Sequence, residues 1–252
     1  MNIVVANPKG SAGKTPITLG LSGAFGLARG GGVLALEIHE LRGTMHLRTE
    51  GGGNVGTVRN FLDNLEQLPP EDVRVGDVRR YVRHQITGQY DAMTSSRAKG
   101  SQLTAEEFRR VQHVLARFYD VIVIDTANNE RAPAWEAAMS LADALVVPVK
   151  WRSDVCVPGI QMLEDLQHDY PELVRRAVVV ASHGAGESDS ACRQRMKPYF
   201  EQLASAVVEL PTDPHVSAGG PIITDQLTDA YRRAARTAGA AVARSITPSF
   251  TR

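Results

Sequence analysis

Short apolar runs alternate with longer amphipathic segments along most of the chain. The apolar runs are rich in Val, Ile and Leu and are bounded by Gly, Asp or Pro. They lie at 2–6, 33–37, 119–124, 144–149, 177–182 and 206–210, with a weaker run at 89–94. Continuous apolar runs of this length are typical of parallel strands that are buried on both faces. The pattern therefore predicts a mostly parallel sheet.

Between these runs, apolar residues recur with the period of a helix. The predicted helices cover 15–29, 55–66, 72–86, 104–117, 131–142, 157–168, 188–204 and 224–245. Strands that alternate with helices predict an α/β fold, a twisted sheet with helices on both faces and ligands at the carboxyl ends of the strands. The segments 51–53 and 94–100 interrupt the pattern only briefly and predict loops, so we expect one domain over residues 1–252.

The first strand continues directly into a glycine-rich turn, IVVANPKGSAGKT at 3–15. Gly10 and Gly13 allow positive φ, which turns backbone N–H groups inward to bind a phosphate at the start of the next helix. Lys14 is then placed to reach the β- and γ-phosphates, and Thr15 to ligate Mg²⁺. This pattern predicts a phosphate-binding P-loop, although the usual spacing asks for one more glycine. The chain has Lys9 instead.

The early lysine makes this loop resemble a more specific motif. KGSAGKT is similar to the deviant Walker A motif KGGxGK(T/S) of the ParA/MinD family of P-loop ATPases, with Ser11 where that family usually has glycine. The resemblance implies that Lys9 reaches across a dimer interface to the phosphates of the partner's nucleotide. It also implies an ATP-binding loop formed by Lys9, Gly10, Ser11, Ala12, Gly13, Lys14, Thr15 and Pro16.

A second signature is the apolar run VIVI, which ends in Asp125. P-loop enzymes hold Mg²⁺ with the help of an aspartate at the carboxyl end of a strand. Many buried strands end in aspartate only to start a turn, but together with Lys9 and Lys14 the pattern predicts that Asp125 and Thr15 form the metal site. Asn128 and Asn129 follow in a switch-like stretch, where they either orient water or phosphate or simply form a turn.

The residue that positions the attacking water has two candidates. After the second strand the family usually continues Asp-x-Asp, and the second aspartate positions this water. Counting from the strand end places Glu37 and His39 on the two aspartates, whereas counting back from Gly43 places Glu40 on the second. A loop histidine without a catalytic part is a further interpretation of His39. Positioning does most of the work in phosphoryl transfer, so the resemblance implies weak ATP hydrolysis in either case.

The resemblance also places the adenine between two late loops. One begins at Ser182, where the family tends to have asparagine, and the other contains Pro211 and Asp213. A guanine-specific Asn/Thr-Lys-x-Asp motif is absent from the sequence. ATP with Mg²⁺ is therefore the expected nucleotide.

Composition and charge limit the expected partners and the expected cellular location. The 252 residues carry a formal net charge of zero, so no global field indicates a nucleic-acid or membrane partner. Cys156 and Cys192 are far apart in sequence and outside metal-ligand spacings, which predicts reduced, inert thiols. The amino terminus is a predicted strand, and no apolar run approaches the ~18 residues of a membrane span. We expect a cytoplasmic protein.

Any nucleic-acid or membrane partner must therefore bind a local charged or apolar surface of the protein. The resemblance implies an ATP-dependent homodimer, with nonspecific DNA and a ParB-like activator as partners in ParA types and a carboxyl-terminal membrane helix in MinD types. The proline and hydroxyl residues of 241–252 argue against such an anchor. Basic clusters could bind DNA phosphates, although each is also an ordinary solvated surface: Arg79, Arg80, Arg83 and His84 in one helix, Lys150 with Arg152, Arg193 with Arg195 and Lys197, and Arg232 with Arg233 and Arg236.

These inferences predict a ParA-like ATPase that sandwiches two ATP molecules in a homodimer. The favoured role is partition of a plasmid or chromosome, with nucleoid association if DNA is bound. The alternative is a MinD-like switch that recruits a protein cargo to a secretion apparatus or another assembly, with little DNA binding. A metal-cluster enzyme of the same fold is disfavoured because the chain lacks a paired-cysteine site.

Overall fold

The computed structural model describes residues 1–39, 43–51, 56–95 and 102–247. Its sheet is built from β1 (Asn2–Val5), β2 (Val33–Ile38), β3 (Arg83–Gln85), β4 (Tyr90–Met93), β5 (Val121–Thr126), β6 (Ala144–Val149), β7 (Val178–Ser182) and β8 (Ala206–Leu210). The order across the sheet is β3-β4-β2-β5-β1-β6-β7-β8. Every neighbouring pair is parallel except β3 with β4. The predicted, mostly parallel α/β fold is confirmed.

Helices cover both faces of this sheet. They are α1 (Lys14–Arg29), α2 (Met45–Arg48), α3 (Val58–Leu65), α4 (Val75–Val78), α5 (Ala105–Leu115), α6 (Pro133–Ser140), α7 (Ser153–Asp169), α8 (Pro171–Arg175), α9 (Ser190–Leu203), α10 (Pro214–Ser217) and α11 (Asp229–Ile246). The buried apolar side chains of α1 and α11 pack on one face of the sheet, and those of α3, α5, α6, α7 and α9 pack on the other. Successive residues of β5 pack alternately into the two cores, which explains why its first four residues are all apolar.

The predicted helix at 72–86 is wrong. After α4 the chain forms a 3₁₀ turn at Arg79–Tyr81 and then β3, which pairs antiparallel with β4. Gln85 is buried, and its side-chain amide donates to the backbone oxygen of Glu50. This contact between distant parts of the chain and the pairing with β4 hold the strand against the helical period. The cluster predicted on one helix is consequently divided between the turn and the strand: Arg79, Arg80, Arg83 and His84.

The remaining predicted helices and strands overlap the observed ones, whereas the short helices α2, α8 and α10 were not predicted. Parts of the two predicted loops, 52–53 and 96–100, lie outside the described residues. Cys156 and Cys192 are buried on α7 and α9, and burial raises the pKa of the Cys156 thiol to about 12. Across the parts of the chain that the structure describes, we find no helix with the length and apolar character of a membrane span.

Strand register brings three chain segments to one edge of the sheet. Glu37 of β2 lies opposite Asp125 of β5, and Asp125 lies opposite Val5 of β1. The loop that follows β1 therefore starts beside both acidic residues. Because all three strands are parallel, their carboxyl ends form one polar edge above the apolar core.

Close packing of α1 on the β3–β4 hairpin yields a stability prediction. A Cβ on Gly26 would overlap the backbone oxygen of Gly88 and lie 2.6 Å from that of Gln89. Backbone cannot rotate away as a side chain can, so Gly26→Ala is expected to lower the free energy of unfolding by about 1–3 kcal/mol. Urea unfolding measures this loss of stability.

The matched control is Gly20→Ala on the same helix. A Cβ there would lie 3.4 Å from the Tyr231 hydroxyl, which is an ordinary contact. Removing a helical glycine at such a site is expected to leave stability unchanged or raise it by about 0.5–1 kcal/mol. Equal effects of the two substitutions would contradict the close approach at Gly26.

Candidate nucleotide-binding site

The loop between β1 and α1 presents its backbone at the start of a helix. Gly13 adopts a left-handed conformation with φ 97°, and α1 begins at the next residue without a side-chain cap. The first N–H groups of a helix need acceptors and carry partial positive charge, so this end favours an anion. Ser11, which stands where glycine was expected, also has a positive φ of 65°. A non-glycine residue in this region costs about 1–3 kcal/mol.

Lys14 is folded into the centre of this loop. Its Nζ donates to the backbone oxygens of Asn7 at 2.8 Å and Lys9 at 3.3 Å, and to Asn128 Oδ1 at 2.6 Å. Burial lowers the pKa of Lys14 to about 8, against the attraction of Asp125. All three hydrogen-bond acceptors are neutral, so a phosphate oxygen offers Lys14 a stronger partner than any of them.

Asn7 anchors the loop, and sequence reasoning missed this role. Its side-chain nitrogen donates to the backbone oxygen of Pro148 at 2.8 Å, and its Oδ1 accepts the backbone N–H of Lys9 at 2.8 Å. Asn7 is 1% exposed. A polar residue placed directly after a buried strand was the available signal. The sequence also left the role of Asn128 open, and the structure places it against Lys14.

Lys9 lies half-buried at the rim of the loop. Its Nζ lies 3.5 Å from Asp154 Oδ2, and Arg152 also contacts that carboxylate. Both side chains of the Lys9–Asp154 pair are more than one third exposed. An exposed pair of this kind contributes little, so Lys9 is available to another anion.

The carboxylate of Asp125 is fully buried beside Thr15. Thr15 Oγ1 donates to Asp125 Oδ2 at 2.6 Å, whereas Asp125 Oδ1 has no hydrogen-bond partner among the described residues. Burial, with the nearby charge of Glu37, raises the pKa of Asp125 to about 7. A buried carboxylate oxygen without a donor is the feature that a cation, or a water on a cation, would satisfy.

Glu37 and His39 lie beside Asp125. Glu37 Oε1 accepts the Met45 N–H at 3.0 Å, and Oε2 accepts both the N–H and the hydroxyl of Ser95 at 2.9 Å. Ligand atoms of Glu37, His39 and Asp125 lie within 4.8 Å of one another. The other candidate for positioning water, Glu40, lies outside the described residues.

The predicted nucleotide residues other than Lys9 and Ala12 line two adjoining cavities. A cavity of about 340 Å³ is lined by Gly10, Ser11, Gly13, Lys14, Thr15, Pro16, His39, Thr44, Arg48 and Asn128. A second, of about 350 Å³, shares Gly13 and Pro16 with the first and also contains Ser182, Pro211 and Asp213. Ala12 is buried. The phosphate and base loops expected from the sequence thus adjoin each other.

The second cavity contains Asp213, which the sequence placed in a base loop, and His183, which the sequence did not single out. Asp213 is 1% exposed, and its carboxylate accepts the N–H groups of His215, Val216 and Thr228, so it positions the loop. His183 has both ring nitrogens buried without a hydrogen-bond partner in the described part of the chain. Burial lowers the pKa of His183, which favours the neutral imidazole.

Several members of the basic clusters form ion pairs with carboxylates. Arg193 lies 2.6 Å from Glu209, with Lys197 also near that residue, and Arg232 contacts Asp229. Other pairs are Lys150 with Glu187 and Arg152 with Asp154. Arg233 and Arg236 are exposed on α11, close enough to help lower the pKa of Asp229.

Comparison with solved structures identifies this architecture. A ParA family ATPase from Chlorobium tepidum matches with a TM-score of 0.77 and 14% identity, over 95% of this chain and 97% of that one. The cell division ATPase MinD of Pyrococcus furiosus matches with a TM-score of 0.70 and 15% identity, over 96% and 98%. This chain has the ParA/MinD fold. The fold that the sequence resemblance predicted is thus confirmed.

Sequence comparison finds a different kind of relative. The chain is 26% identical over 234 residues to the ESX-1 secretion-associated protein EspI of Mycobacterium tuberculosis, in strains H37Rv and CDC 1551. The match covers 92% of this chain and 34% of each relative, so this ParA/MinD-fold chain spans about a third of their length. No family model matches the chain.

Proposed function

We propose that this chain is an ATPase of the ParA/MinD type, which binds ATP with Mg²⁺ and hydrolyses it slowly to ADP and phosphate. The observation that carries the proposal is the convergence of Lys14, Thr15 and the incompletely bonded carboxylate of Asp125 at the start of α1. Neighbours in fold include a MinD complexed with Mg-ADP from Pyrococcus horikoshii, with a TM-score of 0.68, and an ATP complex of a Cyanothece McdA variant, with a TM-score of 0.58.

Each group has a defined part in this proposal. The helix N-terminus and Lys14 hold the phosphates, and Thr15 with Asp125 holds the cation. When bound, Mg²⁺ offsets charge on the β- and γ-phosphate oxygens. Asn128, which now accepts from Lys14, loses that hydrogen bond once Lys14 turns to a phosphate, so its segment can respond to the nucleotide.

Nucleotide binding and phosphate release test the proposal directly. Calorimetric titration with ATP, with and without Mg²⁺, is expected to show binding that Mg²⁺ strengthens, and a phosphate assay is expected to show slow turnover. GTP is the comparison nucleotide. A folded protein that binds no nucleotide would refute the proposal.

Asp125→Ala is expected to damage the Mg²⁺ dependence of turnover. Losing the carboxylate that orients the hydrated cation should raise the Mg²⁺ concentration for half-maximal activity by about 10–100-fold. The control is Asp120→Ala, because Asp120 lies exposed at the opposite end of β5 and pairs with Arg29. If both variants keep the wild-type Mg²⁺ dependence, Asp125 is not a metal residue.

His39→Ala and Glu40→Ala are expected to differ in effect. Removal of the residue that positions the attacking water should lower turnover about 100-fold at saturating ATP and Mg²⁺, because misplaced reactants react about that much more slowly. The variant that leaves phosphate release unchanged eliminates its residue. If neither variant lowers turnover, both assignments fail.

Two cellular roles follow from an ATP-bound homodimer. In the first, the dimer binds nonspecific DNA, is stimulated by a ParB-like partner, and partitions a plasmid or chromosome on the nucleoid. The exposed Arg233 and Arg236 support this role, whereas the ion pairs of the neighbouring clusters weigh against it because DNA would have to displace carboxylates.

In the second role, the dimer recruits a protein cargo. The match to a protein described as ESX-1 secretion-associated favours this candidate and suggests a secretion apparatus as the assembly involved. Light scattering with ATP and Mg²⁺, followed by titration with random duplex DNA at low and high salt, separates the roles. A dimer that binds DNA only at low salt supports partition, and a dimer that ignores DNA supports recruitment.

A further inference from the structure

The end of β2 adds a nitrogen donor to a pair of buried carboxylates. Glu37 and Asp125 are both 0% exposed and lie opposite each other in the sheet. His39 follows two residues after Glu37 and lines the phosphate cavity. One ligand atom from each of the three residues lies within 4.8 Å of the others.

We propose that Glu37, His39 and Asp125 together bind a divalent transition-metal ion, with the His39 imidazole as a direct nitrogen ligand, and that they do so without nucleotide. This inference deepens the proposed function, because the same cation then lies beside Thr15 at the nucleotide phosphates. It concerns which cation the site selects and when the cation enters.

The first argument is the unsatisfied charge of the site. Asp125 Oδ1 is buried and has no hydrogen-bond partner among the residues described. Lys14 is positively charged and acts on Asp125, but it directs its Nζ to Asn7, Lys9 and Asn128. Two neighbouring buried carboxylates are costly unless a positive charge compensates them, and a divalent ion supplies it.

The second argument is that the ligands are already oriented. The backbone N–H of Met45 and both donors of Ser95 hold the Glu37 carboxylate, and Thr15 holds one oxygen of Asp125. Metal-ligating carboxylates are commonly hydrogen-bonded in this way, and such partners tune affinity. The donor atoms lie within 4.8 Å of one another, which is close to the spread of ligands around one ion at metal–ligand distances of about 2.0–2.2 Å.

The third argument concerns the choice of metal. Mg²⁺ prefers an octahedron of oxygen ligands and retains several waters. One imidazole beside two carboxylates instead suits transition metals such as Zn²⁺ and Fe²⁺, and the two carboxylates also suit Mn²⁺, which serves as the spectroscopic probe. The site therefore selects a transition metal when both kinds of cation are present at equal concentration.

Electron paramagnetic resonance with Mn²⁺ tests the inference on the nucleotide-free full chain. Titration of the free Mn²⁺ signal measures affinity, and electron spin echo modulation detects a nitrogen bound to the metal. We expect tight 1:1 binding with a ¹⁴N modulation that changes when histidine is labelled with ¹⁵N. Competition should require at least tenfold more Mg²⁺ than Mn²⁺.

Three variants isolate His39. His39→Ala is expected to weaken Mn²⁺ binding at least tenfold and abolish the nitrogen modulation. His39→Asp is expected to bind Mn²⁺ without the modulation and to gain relative affinity for Mg²⁺. The control, His46→Ala, removes the nearby histidine of α2 and should leave both signals unchanged. Circular dichroism and thermal unfolding confirm that each variant is folded.

The outcomes separate this inference from the proposed ATPase. Mn²⁺ that binds only together with ATP, or that binds without nitrogen modulation, overturns the inference and leaves the ATPase intact. Nitrogen modulation in a protein that binds no ATP supports the inference and refutes the ATPase. A modulation that survives in His39→Ala overturns the assignment of the ligand.

Discussion

Lys14→Ala is expected to weaken ATP binding by about 100-fold or more. Lys14 is the buried cation of the loop, and its Nζ is already held among Asn7, Lys9 and Asn128 at the start of α1. A hydrogen bond to a charged group contributes about 1.5–3 kcal/mol. Two such bonds to phosphate oxygens thus correspond to about 100-fold or more in affinity. Calorimetric titration with ATP and Mg²⁺ measures the loss.

Two controls accompany Lys14→Ala. Arg29→Ala removes a cation at the other end of the same helix, where Arg29 pairs with the exposed Asp120. We expect that variant to bind ATP like the wild type. Urea unfolding must show that Lys14→Ala is folded, because the substitution also removes donors from Asn128 and the loop carbonyls. Unchanged ATP affinity in folded Lys14→Ala would refute the assignment of the site.

Lys9→Ala is expected to abolish ATP-dependent dimerisation while the monomer keeps most of its ATP affinity. Within one chain Lys9 contacts the exposed Asp154, while Lys14 occupies the centre of the phosphate cradle. The resemblance to the deviant Walker A motif implies that Lys9 acts on the partner's nucleotide. A bond made only in the dimer affects association and not binding to the monomer. Light scattering with ATP and Mg²⁺ measures the dimer, and titration measures affinity.

Asp154→Ala is the matched control for Lys9→Ala. It breaks the same contact and leaves Lys9 in place, so dimerisation with ATP is expected to persist. If both variants lose the dimer, the Lys9–Asp154 contact itself is required. If Lys9→Ala forms a normal dimer, Lys9 has no role across the interface.

The sequence predicted most strands and the phosphate loop because their signals are local. Strands buried on both faces need continuous apolar residues, so β1, β5 and β6 were visible as runs. Gly13 and Lys14 carry their chemistry within a few residues of β1. The helix predicted at 72–86 was wrong because the pairing of β3 with β4 is a contact that no local period records.

Only the tertiary structure decided which side chains meet at the site. Strand order places β2 beside β5, and register then sets Glu37 opposite Asp125. His39 joins them because it follows the same strand end. The contact between Lys14 and Asn128 likewise joins two loops through the pairing of β1 with β5. The candidate binding residues could thus be predicted from the sequence, but their convergence depends on strand order and register, which nonlocal packing determines.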